Sequence, residues 1–193
     1  ESVVVAAVDK DKRPIAGSEM VFECDTVLFS VGLIPENELT KGAGIPLDGR
    51  TKGCTVDGDR ETQTEGVFAC GNVLHVHDLV DFVSEEAEIA GQAAAEYLSR
   101  GERQKRLIPV QAGENVSYVL PQRLDIASTL PQKLYFRVTG AIKNALIRVE
   151  GGDGTREFKK IAVAPGEMEH ITLPPAYFRQ AESISVSVAA QEV

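Results

Sequence analysis

Thr64-Glu65-Gly66-Val67-Phe68-Ala69-Cys70-Gly71-Asn72 (TEGVFACGN, residues 64–72) is the stretch on which the fold of the N-terminal half turns. Gly66 to Cys70 reads as a short buried strand, bounded by a polar turn before it and halted by Gly71. A strand that stops at glycine brings bare backbone to its end, because only glycine lets the chain turn there without a Cβ in the way. Some forty residues upstream lies Cys24 to Asn37 (CDTVLFSVGLIPEN), whose apolar run 26–31 reads as a strand covered on both faces and ending at Gly32 and Pro35. Before it, valines at 3–8, turn chemistry in 9–14 (DKDKRP) and the alternating 19–24 (EMVFEC) predict a β-hairpin. Between 35 and 64 the density of Gly, Asp, Thr and Pro predicts mostly loop, with one helical turn at 36–41. Downstream, 83–100 (VSEEAEIAGQAAAEYLSR) is rich in helix formers, with Ser84 as cap, acids in the first turn and Arg100 with Gly101 at the end. Ala87, Gly91, Ala94 and Ala95 give this helix a small-residue stripe.

After the polar 101–105 (GERQK) the sequence changes to short β runs, at 116–120, 133–138, 145–149, 158–163, 170–173 and 183–188, with a GGDG turn at 151–154. Their spacing predicts a small β-sandwich. The fold class expected is therefore α/β (or α+β) in the first half, followed by a small all-β, sandwich-like domain. The boundaries read as 1–31, 32–104 and 105–193.

Composition narrows the function classes. Among 193 residues, 43% are hydrophobic and 25% charged, as in a soluble globular protein, and no apolar run is long enough to span a membrane. The net charge of -9 disfavours a nucleic-acid partner. Cys24, Cys54 and Cys70 are odd in number and never spaced as CxxC, so neither a disulfide framework nor a zinc site is indicated and a reducing cytoplasm is expected. Cys54, in a loop, reads as exposed and Cys70 as a small buried hydrophobe. The opening ESVVVAAVD is not a signal peptide.

TEGVFACGN, with CDTVLFSVGLIPEN, resembles two signature segments of the pyridine nucleotide-disulfide oxidoreductase superfamily, flavoproteins with paired FAD and NAD(P) domains. In that family a strand of pattern T-x-x-G-hydrophobic-aromatic-A-x-G-D closes the FAD site, and its terminal acid hydrogen-bonds the ribityl chain. Thr64, Gly66, Val67, Phe68, Ala69 and Gly71 match, and Asn72 replaces the acid with an uncharged amide. The resemblance implies that residues 1–31 end an NAD(P)-binding domain and 32–104 form the C-terminal part of an FAD-binding domain. It also implies that the helix after the motif points its N-terminus at the flavin pyrimidine, where its N–H groups favour negative charge on reduced flavin. Gly71, Asn72, Asp81, Phe82, Val83 and Ser84 are then the cofactor-binding candidates.

No GxGxxG fingerprint is present, so the resemblance implies an FAD shared with a part N-terminal to Glu1, NAD(P)H as co-substrate of the parent protein, and an inactive fragment. His75 and His77, two apart beside Asp78, are the candidates for a proton relay; no third residue is spaced as a metal ligand, so no metal is assigned. In the β-rich part, Arg137, Glu150, Glu167 and His170 read as solvated strand faces, and the expected job of this domain is docking a redox partner or second subunit, including a homodimer. The function expected is electron transfer between NAD(P)H and an unidentified acceptor through FAD. The alternative is a non-catalytic adaptor with a remnant flavoprotein domain.

Overall fold

The computed structural model describes residues 1–30 and 32–191, and the chain divides into two compact units, 1–33 and 34–193. In the first, β1 (Ser2–Val5) pairs antiparallel with β2 (Met20–Glu23), Ser2 opposite Glu23 and Val5 opposite Met20. The turn between them is organised by Asp9, whose Oδ1 accepts the N–H of Asp11 at 2.8 Å and of Arg13 at 2.9 Å. That is the local side-chain to backbone bonding that makes Asp a turn residue. The expected hairpin is thus present. The expected buried strand at 26–31 is not: residues 26–30 pair with nothing, Leu28 is 90% exposed and Phe29 82% exposed, and Val31 lies outside the described residues. Its sequence suits a central strand, but a central strand needs a neighbour on each side, and the hairpin is the only sheet among the described residues of this unit.

In the second unit, α1 (Glu38–Gly42) supplies the helical turn expected near 36–41. The loop region after it carries its own small core, in which Ile45, Cys54, Val56 and Leu74 meet Leu120. Cys54 is therefore fully buried rather than exposed, and burial pushes its thiol pKa up. The motif strand is reduced to a single bridge between Phe68 and Glu61, and residues 66–70 are half-buried or exposed. Next come a 3-10 turn, Gly71–Val73, and the long helix α2 (Val80–Arg100).

The remaining strands are β3 (Leu107–Ala112), β4 (Val116–Leu120), β5 (Arg123–Asp125), β6 (Gln132–Val138), β7 (Ile142–Gly152), β8 (Gly154–Val163), β9 (Glu169–Leu173) and β10 (Ile184–Ala190), with the one-turn α3 (Pro175–Phe178) before the last. They form a five-stranded sheet of order β5-β3-β10-β7-β8 and a three-stranded sheet of order β4-β6-β9. Ile108, Val110, Ile147, Val149, Ile184 and Val186 of the first sheet share one buried core with Val119, Leu134, Phe136, Val138 and Ile171 of the second. All six expected strands are present. Two were not foreseen: β3 carries Pro109 and pairs in parallel with β10, and β5 is only three residues long. The GGDG segment makes the β7–β8 hairpin turn, with Gly151 and Gly154 both at positive φ.

One strand matters most for the site. Leu134, Phe136 and Val138 of β6 point into the sandwich core, so Lys133, Tyr135 and Arg137 face the other way. That second face is also covered: Tyr135 is completely buried there, against residues of α2 and the loop before it. Residues 34–191 thus stack a five-stranded sheet, a three-stranded sheet and the helix with its leading loop.

Candidate functional site: a glycine turn against the start of a helix

Gly71 stands at φ +73°, a left-handed conformation that side chains disfavour, and a Cβ built on it would lie 3.1 Å from Val83 Cγ1 in α2. The turn and the helix therefore meet at the glycine. Behind this contact lies Glu86, fully buried, whose Oε2 accepts the Gly71 N–H at 2.9 Å. Its Oε1 accepts Nε of Arg60 at 3.1 Å, and both side chains are at most 1% exposed. His77 Nε2 lies 3.0 Å from Oε2 and His75 Nε2 3.6 Å from Oε1. Burial alone would raise the Glu86 pKa; the His75 and His77 imidazoles and the Arg60 charge outweigh it and hold the carboxyl well below the usual carboxylate range. Burial also lowers the pKa of His75, which keeps that ring neutral. Arg60 and Glu86 form the buried ion pair at the centre of the network.

The sequence-derived candidates fall into two groups. Gly71, Val83, His75 and His77 come together around Glu86, and Phe82 joins them, its ring centroid 6.5 Å from that of His77. Asn72 is half-buried, its Oδ1 accepting the His77 N–H at 3.1 Å, so its amide oxygen is engaged in holding the turn. Asp81 and Ser84 point outward and are exposed. Ser84 is not the cap: α2 begins three residues earlier than expected, with Leu79 at the N-cap and no side chain bonding its first N–H groups. The apolar Leu79 and Val80 hid this start from a search for capping residues. Of the small-residue stripe, Ala87, Gly91 and Ala95 are exposed and Ala94 is half-buried.

Three participants were missed. Glu86 completes, with His75 and His77, a set of buried donor atoms that all lie within 4.8 Å of one another, the third group that spacing alone did not suggest. Its signal was available: it is the acid of α2 that falls on the buried face. Arg60, in a stretch read as loop, carried none. The third is the outward face of β6. Lys133 Nζ and Tyr135 Oη donate to Glu85 Oε2 at 2.5 and 2.7 Å, and Arg137 Nη2 donates to Asp78 Oδ1 at 2.5 Å and to the Val76 carbonyl at 3.0 Å. Asp78 Oδ2 also accepts the Met168 N–H at 2.6 Å. Arg137 and His170 are accordingly not solvated strand residues. Arg137 is 17% exposed and half-buried His170 packs 5.2 Å from the Phe82 ring, whereas Glu150 and Glu167 are exposed as expected.

The family model described as pyridine nucleotide-disulphide oxidoreductase matches residues 1–95, and that part of the chain belongs to this superfamily. No solved structure matches the chain. Among the described residues, no helix is long and apolar enough to cross a membrane.

Proposed function

We propose that this chain supplies one face of the flavin site of an FAD-dependent NAD(P)H oxidoreductase. The observation that carries the reading is the fixed contact between the Gly71 turn and the first turn of α2, held from behind by Glu86. The side-chain-free turn at Gly71, its own N–H and carbonyl bonded within the chain, and the Asn72 amide NH2 suit a polyol such as the ribityl chain. The first N–H groups of α2, left without a side-chain cap, suit the electron-rich pyrimidine edge of the isoalloxazine. Asp81, Phe82, Val83 and Ser84 border that edge. Among the described residues, Arg60 Nη2, His75 Nε2 and His77 Nδ1 are buried without a hydrogen-bond partner, so the network leaves polar atoms unengaged behind this turn.

The flavin, when bound, supplies hydride acceptance from NAD(P)H and onward electron transfer. The protein's own residues bind, orient and screen. Glu86 keeps the Gly71 N–H in place, and its charge is balanced by Arg60, so the site gains rigidity without net charge. His77 Nε2 is bonded to that carboxylate, and His75, its Nε2 3.6 Å from the same group, places Nδ1 on Tyr118 Oη, which supports a holding role for both rather than proton relay. The Arg60 guanidinium on Glu86 also supports the assignment of no metal here, since a divalent cation would sit beside a fixed positive charge. Residues 1–31 fit the returning end of an NAD(P) domain, and their exposed apolar hairpin and 26–30 segment suit a partner sheet.

Purification of the natural full-length protein tests the reading. It should be yellow and bleach under anaerobic NADH or NADPH; a colourless protein that takes up no FAD would refute it.

A further inference from the structure

We propose that the outward face of β6 is a positioning device for the flavin-facing end of α2, making the β-rich part a structural wall of the site rather than a separate docking domain. The inference rests on the flavin reading given above.

Lys133, Tyr135 and Arg137 alternate along one face of β6, and at about 3.3 Å per residue they span roughly 13 Å. Each takes hold of the segment 76–85. Arg137 grips Asp78 and the Val76 carbonyl just before the helix, while Lys133 and Tyr135 grip Glu85 in its second turn. The two held carboxylates thus bracket 79–84, the stretch that contains the uncapped N–H groups. Between the brackets Phe82 is enclosed by rings and a cation: Tyr135 at 5.5 Å, His170 at 5.2 Å and Lys133 Nζ at 4.7 Å from its centroid. A second contact ties the same sheet to the turn, His75 Nδ1 lying 3.3 Å from Tyr118 Oη on β4.

A helix start usually frays, and this one has no side-chain cap to hold it. Its order is therefore supplied from outside, by the bonds from β6 together with the Met168 N–H on Asp78. The fully buried ring of Tyr135 and the well-covered Arg137 distinguish this face from an ordinary solvated strand, for which the exposed Arg148–Glu157 pair between β7 and β8 is the comparison. In this arrangement Lys133, Tyr135 and Arg137 are positioning residues, acting on the cofactor through α2.

The test uses the natural full-length protein with Arg137→Leu, Tyr135→Phe and, as control, Arg148→Met. Hydrogen exchange of amides 80–85 should quicken about tenfold in each of the first two variants, as the loss of one or two charge-assisted bonds implies, while amides 95–100 stay unchanged. FAD dissociation should rise by a similar factor and the flavin midpoint potential should move; the control should alter none of these. Unchanged exchange in a folded Tyr135→Phe protein would overturn the inference, as would quickened exchange with unaltered FAD affinity and potential. Absence of flavin from the wild-type protein would instead overturn the flavin reading itself, a result visible before any variant is made.

Discussion

Removing Glu86 should destabilise the protein far more than its single ion pair suggests. Its carboxylate faces Arg60 with both side chains at most 1% exposed, and it also accepts the Gly71 N–H. Glu86→Leu would leave a buried guanidinium uncompensated, which costs about 3–5 kcal/mol. It would also orphan a buried backbone donor, which costs about 1–3 kcal/mol. These losses overlap, so a drop of about 4 kcal/mol or more is expected in equilibrium urea unfolding at neutral pH, with the midpoint rather than the slope carrying the change. Arg60→Met combined with Glu86→Leu removes both charges at once. The double variant should recover at least about 2 kcal/mol relative to Glu86→Leu alone, because an apolar pair of similar volume needs no compensation. A Glu86→Leu loss below about 1 kcal/mol, or strictly additive single and double variants, would refute the closed network described here.

Two further outcomes follow from the same site. Burial lowers the His75 pKa, so on acidification the unfolded chain takes up the proton first; stability present above about pH 6.5 is lost as pH falls toward the folded value, by up to about 1.4 kcal/mol per pH unit. His170 is lowered in the same direction, also by burial, so His75→Gln should reduce the slope of stability against pH in that window without abolishing it; an unaltered slope would contradict the assignment. Gly71→Ala places a Cβ in a left-handed backbone and 3.1 Å from Val83, and should cost about 1–2 kcal/mol. Gly91→Ala, on the bare face of α2 with nothing within 4 Å, should instead raise stability by up to about 1 kcal/mol. Thermal unfolding shifts of the same sign in the two variants would show that the Gly71 turn is not constrained as described.

Much of the fold was legible because strand and turn chemistry is local. The hairpin at 1–24, α2 and six of the eight strands of the β-rich part followed from alternation, turn residues and helix formers. Three features resisted for physical reasons. The run 26–31 has the composition of a central strand, but strand formation depends on neighbours that composition does not report. The start of α2 was hidden because apolar Leu79 and Val80 precede it where a capping residue was sought. Arg137 and His170 read as solvated strand residues because a polar strand face covered by a helix and a water-facing one have the same period of two. In the candidate site, the glycine turn was singled out from the motif and the two histidines from their own spacing in 74–78. Glu86 could be read only as the acid on the buried face of α2, and Arg60 and the β6 residues not at all, since their relation to the motif exists only in the folded chain.

The central claim is that flavin sits where the Gly71 turn meets α2, and one measurement addresses it directly. Hydrogen exchange of the natural full-length protein, compared with and without bound FAD, should show protection concentrated at amides 71–73 and 80–83, with the β7–β8 hairpin unaffected. FAD-dependent protection that leaves both of those segments unchanged would contradict the account.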